Sequence, residues 1–147
     1  MFVRSFVLTI ILVSSLLAGG AQKKVLFTCK NGETKEFLKL LDQITYLQTH
    51  YEGTKTPYDI VLIAQSDCTK FMLSDLDDTK WMNEESPFET ELKLDKLKSK
   101  VKFEQCQSSL DRMGIPNKKL RSYVKPIPSA TLGNVEYQLN GYAMMPQ

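Results

Sequence analysis

Apolar positions along the chain follow two different patterns in its first half. Lys24–Thr28 and Tyr58–Ala64 are short runs rich in β-branched and aliphatic residues, and the second is almost continuously apolar. Such a run between turn residues is typical of a strand buried on both faces. Between them, apolar residues recur at helical spacing over Lys35–Tyr51, with Thr34 as the predicted N-cap and Gly53 at the end. This order predicts a βαβ unit with parallel strands.

The second half of the chain repeats the alternation of helices and strands. Ser86 as N-cap and Pro87 as first residue predict the start of a helix. Its approximate apolar face consists of Phe88, Leu92, Leu94, Leu97 and Val101. The stretch Val101–Cys106 then predicts a short strand, and Gln107–Gly114 predicts a short helix that ends at the glycine.

The C-terminal segment predicts one more strand, a helix and a closing strand. A helical turn is expected over Lys118–Ser122, and Tyr123–Ile127 is a strand whose Pro126 favours a sheet edge. A helix begins at Pro128-Ser129 and carries Leu132, Val135 and Leu139 at helical spacing, and Tyr142–Met145 forms a last strand. The predicted fold class is therefore α/β, a three-layer α/β/α domain with a mostly parallel sheet of about five strands.

Residues 74–86 carry no clear periodicity and are interpreted as a solvated loop. They contain the single tryptophan, Trp81, among acidic and turn-forming residues. Trp81 is expected to anchor this loop against the core, with a subunit contact as the alternative. The acids in this segment do not have the glycine and glutamate of a calcium-binding loop in register.

Length and charge narrow the classes of protein that the chain can represent. It has 147 residues, enough for one domain with its own core. The formal net charge is only +2, and no long basic block is present. Neither nucleic acid nor an anionic membrane surface is therefore predicted as a partner.

The N-terminus has the pattern of a secretory signal. Arg4 precedes a mostly apolar run from Phe6 to Leu17, and small residues follow up to Ala21. The run is shorter than the roughly 20 residues of a membrane span. We predict a signal peptide over residues 1–21 and a mature domain over residues 22–147, exported in a bacterial context to the periplasm, with no stable membrane span after processing. A retained N-terminal anchor is the alternative.

Three cysteines, Cys29, Cys68 and Cys106, remain in the mature domain. An odd number in an exported protein leaves at least one thiol unpaired or paired with another chain. No CxxC motif occurs, and the spacing matches no zinc ribbon or finger. His50 is the only histidine and is interpreted as a residue in the last turn of its helix, where a cation suits the dipole. No metal and no cofactor are predicted.

Cys106 is the candidate reactive residue because of its place in the predicted fold. It ends a predicted strand and precedes a helix, at the sheet edge where ligands gather in open α/β sheets. A helix N-terminus favours the thiolate. Judged by spacing alone, such a cysteine is more often a small buried residue than a nucleophile. Dinucleotide, P-loop and GxSxG motifs are absent from the sequence, which leaves thiol chemistry as the catalytic option.

A resemblance to a known family adds weight to this choice. The segment VKFEQC…SLDRMGI over residues 101–115 resembles the cysteine-bearing segment of the DsrE/DsrF-like family. The ending VKPIPSATLGNVEYQLNGYAMMP resembles the family's strand, proline, helix and closing Gly-Tyr strand, and YDIVLIAQ fits its first βαβ unit. The resemblance implies a compact α/β fold that assembles into trimers or hexamers. It also implies a persulfide on Cys106, as in the sulfur-relay members.

What the resemblance implies about the site is a sulfur carrier or sulfurtransferase-type protein. Its partners would be a sulfur donor and an acceptor, either proteins or small sulfur compounds. Backbone N–H groups from Gln107 to Ser109 would stabilise the thiolate, and the hydroxyls of Ser108 and Ser109 could add donors. Cys29 and Cys68 are additional thiols at ends of predicted strands, and a disulfide between them would leave Cys106 free. The alternatives are a non-catalytic oligomeric binding protein of the same fold and a disulfide-forming redox protein.

Overall fold

The computed structural model describes residues 20–146. Nearly all of the predicted signal peptide, residues 1–21, lies outside the described residues. The described part contains, in chain order, β1 (Lys23–Cys29), α1 (Thr34–Gly53), β2 (Tyr58–Ala64), a 3-10 helix (Ser66–Met72), α2 (Phe88–Leu97), β3 (Lys102–Cys106), α3 (Gln107–Met113), a second 3-10 helix (Asn117–Lys119), β4 (Val124–Ile127), α4 (Ala130–Leu139) and β5 (Ala143–Met144). No helix within residues 20–146 combines the length and apolar content needed to cross a membrane.

The five strands form one sheet in the order β4-β3-β2-β1-β5. Every neighbouring pair is parallel. Helices α1 and α2 pack on one face of the sheet, and α4 packs on the other. The predicted three-layer α/β/α class is therefore confirmed.

β2 is the middle strand of the sheet, and the first βαβ unit is built around it. Residues Ile60–Ala64 are completely or almost completely buried, as the continuous apolar run predicts. α1 connects β1 to β2 and buries Phe37, Leu41 and Ile44 against the sheet. Thr34 is the first residue of α1 rather than its N-cap, which is Glu33. The Asn31 side chain accepts a hydrogen bond from the Glu33 N–H at 2.8 Å and so holds this turn.

The start and the apolar face of α2 differ from the prediction. The helix begins at Phe88, so Ser86 is not its N-cap; the Ser86 hydroxyl instead donates to Glu91 at 2.5 Å. Phe88 is 82% exposed and Leu92 is 43% exposed. The buried stripe consists of Thr90, Leu94 and Leu97. The residues of this narrow stripe face α1 and the sheet. Phe88, in the first turn of α2, faces solvent instead.

A smaller apolar cluster lies outside the main core. Trp81 is only 5% exposed and packs with Leu73, Leu110 and Ile115. The prediction that Trp81 anchors residues 74–86 against the protein is confirmed. The helical turn expected over Lys118–Ser122 is present as the shorter 3-10 helix Asn117–Lys119.

α4 packs on its face of the sheet with few apolar side chains. Ser129 caps the helix and accepts the Leu132 N–H at 3.4 Å. Ala130 is the only buried residue of α4. The apolar residues that show helical spacing point outward: Leu132 is 51% exposed, Val135 48% and Leu139 77%.

Candidate functional site

Cys29 and Cys68 form a disulfide with a Cα–Cα distance of 5.7 Å. Cys29 is the last residue of β1, and Cys68 lies in the 3-10 helix that follows β2. Because adjacent parallel strands end side by side, the two loops meet at the carboxyl edge of the sheet. Neither residue is therefore an additional thiol, and Cys106 is the free cysteine of the described residues.

Cys106 lies at the predicted junction between strand and helix. It is the last residue of β3 and the N-cap residue of α3. Gly114 ends α3 in the left-handed conformation with φ 65°, as its position in the sequence predicts. Cys106 is 5% exposed and packs in an apolar cluster with residues of β1, β2 and α4.

Hydrogen-bond donors surround the Cys106 sulfur. The Ala130 N–H donates to Sγ at 3.3 Å. Burial raises the pKa of the Cys106 thiol, but hydrogen bonds from Ala130, from the hydroxyl and N–H of Ser109, and from the N–H of Ser108 outweigh it. The pKa of the thiol therefore lies below its ordinary value, which favours the nucleophilic thiolate.

The three residues predicted to support Cys106 have different roles in the structure. The hydroxyl and backbone N–H of Ser109 and the backbone N–H of Ser108 each lower the pKa of the Cys106 thiol. The Ser108 hydroxyl instead donates to the Pro128 carbonyl at 3.0 Å. The Gln107 side chain donates to Asp111 at 2.7 Å along α3. Only part of the predicted set therefore acts on the thiol.

Two further contacts connect the site to the loop that carries the disulfide. The Ser66 N–H donates to the Ser109 hydroxyl oxygen at 3.0 Å. The fully buried Gln105 donates through Nε2 to the Thr69 hydroxyl at 2.9 Å and to the Cys106 carbonyl at 3.1 Å. These bonds fix the start of α3 against the 3-10 helix after β2.

Sequence reasoning missed Glu104, Ala130 and Tyr137. Glu104 lies two residues before Cys106 on β3 and is only 6% exposed. The Tyr137 hydroxyl donates to Glu104 Oε1 at 2.8 Å, while Oε2 has no hydrogen-bond partner within residues 20–146. The Pro128-Ser129 pattern predicts a helix start, but no signal in the sequence places that helix over Cys106.

Metal ligands do not gather near the site. Within the part of the chain that the structure describes, no three His, Cys, Asp or Glu side chains are grouped so that they could hold a metal ion. His50 lies in the last turn of α1, as predicted.

No family model matches the sequence, and no curated protein matches it. Solved structures do match. The protein of unknown function MTH1491 from Methanobacterium thermoautotrophicum has a TM-score of 0.67 and 18% identity, over 84% of this chain and 97% of that chain. YchN from E. coli has a TM-score of 0.57 and 16% identity, over 83% of this chain and 96% of that chain. Both neighbours are DsrE-like fold proteins.

This chain has a DsrE-like fold. The match extends over almost the full length of both neighbours, so the fold is matched as a whole and not as one βαβ unit. The resemblance found in the sequence is thus confirmed at the level of the fold. At these identities the DsrE-like fold is what the comparisons establish, and the role of Cys106 stays a prediction.

Proposed function

We propose that this chain is an exported member of the DsrE-like family that carries sulfur as a persulfide on Cys106, as a sulfur carrier or sulfurtransferase-type protein. The observation that carries this proposal is the environment of the Cys106 sulfur. It is a free thiol at the carboxyl end of a parallel strand, with hydrogen-bond donors from α3 and α4. Such donors stabilise a thiolate, which is the nucleophile in sulfur exchange.

The transfer needs no group beyond the thiolate and the sulfur donor. The Cys106 thiolate attacks the outer sulfur of a donor persulfide, R–S–SH; the bond from Sγ to that sulfur forms and the donor S–S bond breaks. The electron pair of the broken bond leaves with RS⁻, and Cys106 carries the S–SH group. Thiosulfate reacts in the same way, with sulfite as the leaving group. Attack of an acceptor thiolate on the outer sulfur reverses the step and restores the Cys106 thiolate.

Export to the periplasm is part of the proposal. The N-terminal pattern of charged, apolar and small residues supports it. The Cys29–Cys68 disulfide also supports it, because disulfides persist in oxidising compartments and are rare in the cytosol. If the full-length chain is expressed in a bacterium with an active secretion system, the periplasmic protein should begin at Gln22. A full-length mass would contradict cleavage after Ala21.

Intact mass measurement tests the sulfur chemistry. The mature protein is incubated with polysulfide or thiosulfate, and we expect a gain of about 32 Da, one sulfur atom, that a thiol reductant removes. The Cys106→Ser variant should not gain this mass. Cys29 and Cys68 are joined in a disulfide, so within residues 20–146 no other free thiol can take up the sulfur. The absence of an adduct on the folded wild-type protein would favour a non-catalytic binding protein instead. A covalent dimer that is two hydrogens lighter than two monomers, and that reductant separates, would indicate disulfide chemistry at Cys106.

We also propose that the protein is a homo-oligomer, a trimer or hexamer, as the family resemblance implies. The outer side of α4 supports a contact between copies, because its exposed residues Leu132, Val135 and Leu139 are apolar and Glu136 is the only charged residue of the helix. Light scattering after size exclusion measures the assembly. Val135→Glu should dissociate it, whereas glutamate at Tyr46, which is 72% exposed on α1, should not. A monomeric wild-type protein would refute the proposal.

A further inference from the structure

α4 is held to β3 by polar contacts at two points, and both points lie on the same face of the sheet. At the N-terminus of the helix, the Ala130 N–H donates to Cys106 Sγ at 3.3 Å. Two helical turns later, the Tyr137 hydroxyl donates to Glu104 Oε1 at 2.8 Å. Cys106 and Glu104 are two residues apart on one strand, so their side chains project to the same side.

Gly133 brings the helix close to the sheet between these two points. A Cβ atom at this position would lie 2.8 Å from Ile127 Cδ1 and 3.1 Å from Ile63 Cδ1. Ile127 is level with Cys106 in the sheet, and Ile63 is level with Glu104. The two isoleucines belong to the strands on either side of β3, so the helix crosses directly above the segment that joins Glu104 to Cys106.

Apolar packing of α4 is confined to its inner side, where Ala130, Gly133 and the Tyr137 ring meet the sheet. Ala130 is its only buried residue, and its large aliphatic side chains are exposed. The Tyr137–Glu104 hydrogen bond is therefore one of few directional contacts that fix the helix on the sheet. Within residues 20–146, Tyr137 is also the one hydrogen-bond partner of the Glu104 carboxyl group, since Oε2 has none.

We propose that Glu104 and Tyr137 are positioning residues for Cys106: by holding α4 against β3, they keep the Ala130 N–H within hydrogen-bond distance of the sulfur. The proposal rests on the proposed function in taking Cys106 as the reactive group, and it names the residues that set its reactivity. Neither residue touches the sulfur through its side chain in the described contacts. Their effect on the thiolate passes through the backbone of α4.

The test is the pH dependence of Cys106 alkylation by iodoacetamide in the folded protein. The Cys29–Cys68 disulfide leaves Cys106 as the alkylation site of the described chain. In Tyr137→Phe, the ring stays and the hydrogen bond to Glu104 is lost. We expect the midpoint of the pH profile to rise by about half to one pH unit, so the thiolate fraction below the midpoint falls about 3- to 10-fold.

The midpoint and the limiting rate at high pH together separate positioning from a merely structural role. A variant that only loosens the protein exposes the sulfur and raises the limiting alkylation rate, whereas loss of the Ala130 contact alone raises the midpoint and leaves the limiting rate close to that of the wild type. Tyr137→Phe changes none of the other charged or titratable side chains near the site. These side chains lie on this face of the sheet and on α3 and α4. They are Lys24, Asp59, Lys102, Glu104, Lys125, Asp111, Arg112, Glu136 and Tyr142.

Three further variants make the test specific. Glu104→Leu removes the acceptor and the carboxyl group together, so its midpoint should lie above that of Glu104→Gln, which keeps an acceptor for Tyr137. Glu104→Gln keeps a carbonyl acceptor for Tyr137 and removes a carboxyl charge, so its midpoint should lie at or below the wild-type value. Tyr142→Phe is the matched control, because its hydroxyl donates at 2.7 Å to Asp59 and not to β3, and it should leave the midpoint unchanged.

Two results would overturn the proposal. One is an unchanged midpoint in Tyr137→Phe, with circular dichroism and a cooperative melt showing that the variant is folded. The other is an equal shift in Tyr142→Phe. Alkylation reports the thiol and not sulfur transfer, so the outcome is independent of the mass experiment. A wild-type protein that gains no sulfur but shows the expected shifts would refute the proposed function and leave the positioning role standing.

Discussion

Removing the disulfide should cost this domain a large part of its stability. Replacing Cys29 and Cys68 together by alanine opens a loop closed over a sequence separation of 39 residues. The chain-entropy relation gives a loss of about 4 kcal/mol at 25 °C for a loop of this size. Domains of this kind unfold with a free energy of about 5–15 kcal/mol, so the double variant should be marginal or strongly destabilised.

We expect most of this loss of stability to arise because the unfolded chain gains freedom, since the folded structure around the disulfide has other contacts that hold it. Backbone hydrogen bonds already join the two loops: the Gln65 N–H donates to the Cys29 carbonyl at 2.9 Å, and the Cys68 N–H donates to the Lys30 carbonyl at 3.3 Å. Both cysteines are almost fully buried among apolar residues. Alanine keeps that apolar burial, whereas serine would bury a hydroxyl.

Urea and thermal unfolding measure the effect. We expect the double variant to melt about 15 °C lower than the wild type, and its denaturant slope to be larger because its unfolded chain is less constrained. Wild-type protein unfolded and refolded in reductant should match it, and Cys106→Ala, which keeps the disulfide, is the control for cysteine removal. A double variant within about 1 kcal/mol of the oxidised wild type would refute the loop-entropy reasoning.

Two other predictions concern a turn and an ion pair. Gly32→Ala should lose about 1–3 kcal/mol because its Cβ would lie 2.9 Å from Asp67 Cβ and 3.0 Å from the Asp67 carbonyl oxygen; Gly53→Ala, with nothing within 4 Å, is the control, and equal urea midpoints would contradict the clash. Hydrogen bonds from Arg121 hold the pKa of Glu91 below its usual range, so this stabilisation is complete above about pH 4.3 and is lost as the pH falls through the lower, folded-state pKa. Glu91→Gln should flatten that acid slope in stability measured against pH, and an unchanged slope would count against the pair.

Much of the fold follows from local patterns because the sheet is parallel and central. The continuous apolar run of β2 and the helical spacing of α1 require burial on specific sides, and both elements have the predicted type and nearly the predicted bounds. The patterns failed for the outer helices. Phe88 and Leu92 on α2, and Leu132 on α4, have helical spacing but are exposed. Spacing reports that a helix has an apolar stripe, but not which surface covers that stripe.

The residues of the candidate site also fall into a group that local sequence patterns predict and a group that they do not. The strand end and the helix start at Cys106 are neighbours in sequence, so their patterns place the thiol and the N–H groups of α3. Ala130 and Tyr137 reach β3 across sequence separations of 24 and 33 residues. Their approach depends on how α4 crosses the sheet, and the residue that permits the close crossing, Gly133, looks like an unfavourable helix residue in the sequence.

The sheet itself separates the oxidised cysteines from the reduced one. All three lie at the carboxyl edge, but Cys29 and Cys68 belong to the apolar cluster under α1, and Cys106 belongs to the cluster under α4. Exchange between a thiolate and a disulfide requires direct attack of one sulfur on another. A layer of hydrogen-bonded backbone between the two clusters blocks that approach while the domain is folded. The proposed reactive thiol and the disulfide therefore lie on opposite faces of one sheet, an arrangement that disfavours internal scrambling.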